Sequence, residues 1–202
     1  MSTLGKIAVV VAAPLVLAAA GVVHPHSLTT STAPEWARLH VLLLPVFPLL
    51  ALGFVVPLRR PGRDVTGVAT VVAWLAAFTY ACFYSGLDAV AGIAAGTAWQ
   101  HAPAGADQEK IVAPLYRMGD DLGAFGVRAF LVAVVATCLA LYPRAGVRVV
   151  PGGLVLLAAG WSFLDSHIFW PRGVLTMLAI AVGFALLVAA PRRTGGAPRP
   201  GA

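Results

Sequence analysis

The sequence predicts an all-α integral membrane bundle of six transmembrane helices with both termini cytoplasmic. Composition is the first reason: apolar residues make up 59% of the 202-residue chain and charged residues 11%, against about 25% charged in a soluble domain. Mean hydropathy is correspondingly high, at +0.87. The second reason is that six apolar stretches can be laid end to end, each near the roughly 20 residues needed to cross about 30 Å of hydrocarbon. The third is the placement of charge. An alternating path puts His24, His26, His40, His101, His167 and seven of the 8 acidic residues at one end, and Arg59, Arg60, Arg63, Arg144, Arg148, Arg192, Arg193 and Arg199 at the other. Lys and Arg in short loops mark the cytoplasm, so the histidine end should be extracytoplasmic. Arginine in large excess over lysine, with abundant Ala, Gly and Pro, resembles the output of a GC-rich bacterial genome, which favours a bacterial plasma membrane.

Span one runs from about Ile7 to Val23 after a single Lys6. Lys6, the apolar run and the small residues Ala18 to Gly21 also fit the three regions of a cleavable signal peptide; retention as a helix is the expectation. Span two, about Leu39 to Leu58, holds Pro45 and Pro48 and should be kinked in its outer half. Span three rises from about Val65 to Asp88, with a small-residue extension to Gly96 in which Gly92 and Gly96 have the spacing of a close helix contact. The polar stretch 97–120 is read as an outward loop, with Gln108 to Met118 as a short surface helix. Span four descends from about Leu122 to Tyr142, with the Asp120, Asp121 pair as its cap and Gly119 as the turn before it. Span five covers about Val147 to Trp170, and span six about Val174 to Ala190. Residues 191–202 form a basic cytoplasmic tail. Cys82 and Cys138 fall at different depths of different spans, which rules out a disulfide between them.

Two groups of residues could carry chemistry. The first is imidazole: in His24, Pro25, His26 the proline favours extended backbone, so side chains at i and i+2 should project to one side. His40 at the start of span two and His167 near the outer end of span five would join them in one layer. Neutral imidazole suits copper, zinc and haem iron; without a CxxCH motif, haem would be held non-covalently. The competing account makes each histidine an interfacial residue beside Trp36, Trp99 and Trp170.

The second group is the charge inside the spans: Asp88, Arg128 and Asp165. Ionisable groups at the helix centre cost about 2.5–3.5 kcal/mol on insertion scales and usually face a cavity or each other. Arg128 is expected to pair with Asp88 or Asp165. Tyr80, Tyr84 and Asp88, spaced by four, make one polar stripe, and Trp161 shares a face with Asp165. Asp165 and His167 lie about 200° apart on a continuous helix and belong to different sets.

Walker, Rossmann, HExxH, GxSxG and CxxC patterns are absent, no saccharide cleft is indicated, and no basic run alternates with aromatics as nucleic-acid binding would need. The leading reading is a non-enzymatic protein of the lipid bilayer that binds a small molecule or ion in an outward pocket, as transporter, sensor or accessory subunit. Asp88, Arg128, Asp165, Tyr84 and Trp161 would line that pocket. The alternative is a membrane metalloprotein, a redox enzyme included, with copper, zinc or haem on His24, His26, His40 and His167. A third reading is a structural subunit docked on a membrane-protein partner. The orientation is open to test: single cysteines placed in 97–120 of a cysteine-free variant should react with an impermeant thiol reagent in intact cells, and protection there would reverse the assignment.

Overall fold

A computed structural model describes residues 1–58 and 60–190, so Arg59 and the tail 191–202 with Arg192, Arg193 and Arg199 lie outside the described residues. Every regular element among them is helical. In order these are α1 (Thr3–Val23), α2 (Ala33–Leu43), a 3-10 turn (Phe47–Ala51), α3 (Leu52–Val55), α4 (Val65–Leu87), a π-helical segment (Asp88–Ala94), α5 (Ala95–Gln100), α6 (Gln108–Ala145), a 3-10 turn (Gly146–Val149), α7 (Val150–Ser166) and α8 (Arg172–Ala189).

Five continuous runs are long and apolar enough to cross a bilayer: Thr3–Val23, Ala33–Val55, Val65–Gln100, Gln108–Ser166 and Arg172–Ala189. The fourth run contains both α6 and α7, which pack against each other across the turn at Gly146, where φ is +60°. Packing closes a ring: α1 on α8, α8 on α7, α7 on α6, α6 on α4, α4 on the 3-10 turn after α2, and that turn back on α1. The ring is apolar on its outside as well as inside. Val16, Leu42, Leu75, Phe78, Leu139, Leu154 and Leu175 are exposed, the pattern of helices that meet lipid rather than water.

Where lipid is as apolar as the core, helices associate through close packing. The centre is a stack of fully buried rings: Phe54 lies 4.9 Å from Phe130 and 5.1 Å from Phe184, Tyr80 5.5 Å from Phe130, and Tyr84 4.7 Å from Phe163. The second run breaks where the prolines demand it, α2 ending at Leu43 just before Pro45 and resuming as a 3-10 turn around Pro48. Its start lies further back than hydropathy placed it, at Ala33, because Pro34 is accepted in a first helical turn.

The region 97–120 differs more. Only residues 101–107 leave the helical path; α6 starts at Gln108 and continues unbroken for 38 residues, about 57 Å at helical rise. Asp107 is its cap, accepting the Lys110 N–H, while Asp120 and Asp121 sit within the helix. Polarity ends a membrane span without ending a helix, and Gln, Glu, Lys, Leu and Arg are good helix formers. Gly119 is no turn either: it packs on Ala91 of the π segment. Both cysteines are free.

Asp64 caps α4, accepting the Gly67 N–H at 2.8 Å and the Thr66 hydroxyl at 2.8 and 2.9 Å. These bonds, the Gly67 amide foremost, pull its carboxyl below the ordinary range. A pKa depressed on folding adds stability that is present above the unfolded value and lost as pH falls through the folded one. Asp64→Ala should therefore lower the thermal midpoint at pH 7, and the gap from the parent should close as the pH drops below about 4, the free-carboxylate value; equal midpoints at pH 7 would remove the cap from the account.

Candidate metal centre

Three of the four histidines proposed as ligands converge. His24, His40 and His167 each present a ring nitrogen, all within 4.8 Å of one another. His24 and His40 are buried and His167 is half-buried. The His40 and His167 rings stack at 6.1 Å with planes 7° apart, and His24 stands edge-on to both, at 5.0 and 5.9 Å.

Hydrogen bonding settles two of the tautomers. A carbonyl oxygen only accepts, so His24 donates Nδ1–H to Pro25 O at 2.8 Å and His40 donates Nδ1–H to Trp36 O at 2.7 Å. In the neutral rings the Nε2 atoms then carry lone pairs, and these stand 3.4 Å apart. Two acceptors cannot bond to each other; the pair is complementary to a cation. Burial, ahead of every other influence, pushes the His24 pKa down to about 4, which keeps that ring in its neutral, ligating form at ordinary pH. The phenol oxygen of Tyr84 lies 2.8 Å from Nδ1 of His167; in the tautomer where Nδ1–H donates to that oxygen, Nε2 carries the lone pair for an ion.

Local backbone features place each ring. His24 is the C-cap of α1, in extended conformation. His40 lies in the last turn of α2, seated over Gly92 of the π segment, where a β-carbon would overlap the imidazole; the Gly92 and Gly96 spacing thus does bring two helical segments together. His167 follows the last residue of α7 with φ 44° and ψ −134°, a region that costs a non-glycine residue about 1–3 kcal/mol and recurs at functional sites. Its neighbour Ile168 is held between Gly21 of α1 and Gly173 of α8, neither of which has room for a β-carbon. Phe169 covers the group at 4.6 Å from His24 and 5.3 Å from His167.

His26 does not join them. The chain bends at His26 and Ser27, so the strand rule that aligns i with i+2 fails, and the exposed His26 ring lines a separate cleft with Trp36, Trp99, Glu109 and Tyr116. His101 is exposed and donates Nδ1–H to Thr97 O.

The charges within the apolar runs separate as well. Asp165 is exposed and held by Arg172, at 2.6 and 3.2 Å. Arg172, seven residues on at the start of α8, was missed as its partner. Arg128 is exposed and forms no ion pair among the described residues, and Trp161 is 72% exposed. The expected pairing of Arg128 with Asp88 or Asp165 is therefore corrected: hydropathy marks depth, but the facing of α6 and α7 turns these side chains outward. Asp88 alone of the three points inward. It starts the π segment, is 0% exposed, and lies 3.9 Å from His40 Nε2. The stripe Tyr80, Tyr84, Asp88 is buried throughout, with Tyr80 donating to Phe47 O at 3.2 Å.

A cleft of about 520 Å³ reaches the cluster from one side, with Tyr84, Asp120, Asp121, His167 and Phe169 in its lining. On the side toward the bundle centre the cluster is closed by Phe47, 5.4 Å from His167. No family model, curated protein or solved structure matches the chain.

Because His40 rests on a position without a side chain, Gly92→Ala should unseat the ring, lowering the thermal midpoint of detergent-solubilised protein by the equivalent of about 1–3 kcal/mol. Gly96→Ala, whose new carbon would meet Ala37 at 3.0 Å, should cost less. The reverse order in fluorescence-detected unfolding would mean that the His40 seat is not the tighter contact.

Proposed function

We propose that the chain is a membrane metalloprotein that holds one zinc or copper ion on His24, His40 and His167, near the extracytoplasmic end of a six-span bundle. The observation that carries this is the approach of two Nε2 lone pairs whose tautomers are fixed by carbonyl oxygens. Nitrogens about 2.05 Å from an ion at the tetrahedral angle are roughly 3.3 Å apart; the two here are at 3.4 Å. A ring N–H donated to a backbone carbonyl is also the usual way a ligating histidine is oriented.

Haem does not suit the same geometry. Axial imidazoles on one iron stand roughly 4 Å apart with a porphyrin between them, whereas the three ring nitrogens share one small space enclosed by Trp36, Phe47 and Phe169. A pocket built on Asp88, Arg128 and Asp165 loses its basis with the dispersal of those residues. The aromatic stack below the histidines favours an ion that resides at one end over one that passes through. The arginine bias in the short loops supports the orientation, and the cleft beside His167 gives the ion a route to that face.

Protein purified without a histidine tag should carry close to one zinc or copper per chain. His24→Ala and His40→Ala should each abolish it, while His26→Ala should retain it. No metal in the parent after loading with either ion and dialysis, or full metal in the two alanine variants, would overturn the reading.

A further inference from the structure

Asp88 is the least explained group in the molecule. Its carboxylate has no exposure, and neither oxygen has a hydrogen-bond partner. Of the phenols that share its stripe, Tyr80 donates to Phe47 O and Tyr84 pairs with His167, and neither bonds to the carboxylate. An isolated carboxylate in such a place is expensive, and it is relieved by a proton or by a cation. A proton does not complete the arrangement, since His40 Nε2, the acceptor that faces it, stands 3.9 Å away, beyond hydrogen-bond reach.

Resting on the metal-centre reading, we propose that Asp88 supplies the fourth, anionic ligand of the ion, making a three-nitrogen, one-oxygen site that selects a divalent ion such as Zn²⁺ over Cu⁺. The 3.9 Å from Oδ1 to His40 Nε2 exceeds the roughly 3.3 Å edge of a tetrahedral site, so the carboxylate moves toward the three rings when it takes up the ion. Asp88 opens the π-helical segment, the kind of irregularity that re-aims side chains at functional sites. Two consequences follow from the donor set. Three neutral rings around a dication leave two positive charges uncompensated in a buried place, and one carboxylate removes half of that. Carboxylate oxygen is a hard donor, suited to divalent ions and poorly suited to soft Cu⁺, which imidazoles alone accept.

Zn²⁺ and Cu⁺ affinities of the full-length protein, measured by competition with chromophoric chelators and under reductant for Cu⁺, separate the possibilities. Asp88→Asn should weaken Zn²⁺ at least about tenfold and leave Cu⁺ within a few-fold, because the three imidazoles still converge. Unchanged Zn²⁺ affinity would overturn the assignment, as would an equal loss of both ions, which would mark Asp88 as merely structural. Asp88→Cys gives a readout independent of affinity: the zinc X-ray absorption spectrum should gain a sulfur at about 2.3 Å, and a spectrum without it would reject Asp88 as a ligand. If His24→Ala and His40→Ala abolish metal while both Asp88 variants behave as the parent, the metal centre stands and this assignment alone falls.

Discussion

Two carbonyl oxygens, those of Pro25 and Trp36, decide which nitrogen of His24 and of His40 carries its proton, and the character of that whole end of the bundle follows from that choice. Were either ring free to take the other tautomer, the Nε2 atoms would join in an ordinary hydrogen bond and the cluster would be a satisfied pair of buried side chains. With both protons drawn away, the interior of the group is rich in electron pairs and poor in donors. Asp88 adds two more acceptor atoms to that interior. Buried acceptors without donors are costly, and a proton or a cation relieves them.

Four backbone irregularities of the fold gather around this point. The extended cap after α1, the break after α2, the π segment after α4 and the positive-φ residue after α7 all lie at the same end of the ring of helices. The other end carries the 3-10 turn Gly146–Val149 with Gly146 at φ +60°, and there Lys6, Pro57 and Arg144 meet around a small hollow. Strain of the kind found at His167 persists only where neighbours leave the chain no alternative, and here Gly21 and Gly173 grip the next residue from both sides. Small residues thus act twice, letting helices approach and letting the backbone thread between them.

Much of this was legible in the sequence, and what was not had identifiable causes. Hydropathy located the apolar segments and the prolines located the break after α2, because both depend on local composition. It misplaced the beginnings of α2 and α6, since a helix runs on into water whenever its residues favour it. The layer of histidines was readable from span ends, and so was the inward stripe of Tyr80, Tyr84 and Asp88, which needs only helical periodicity. Which of two neighbouring histidines turns inward was not, because it depends on bends at His26 and Ser27 that nothing in a histidine-proline-histidine run dictates. Nor could the pattern tell that Asp165 would choose Arg172 across a turn and face outward, while Asp88, at a similar depth, would face inward without a partner. Facing is a property of packing between helices, and a single sequence carries it only weakly.

None of the three imidazoles sits in the middle of a long helix. His24 and His167 cap α1 and α7, and His40 is in the last turn of a short one. Helix ends open far more readily than helix centres, whereas the aromatic stack that holds the bundle together lies deeper and shares no ligand with the cluster. The rings can accordingly shift at these helix ends without unpacking the stack, so the histidine group is adjustable where the bundle itself is not.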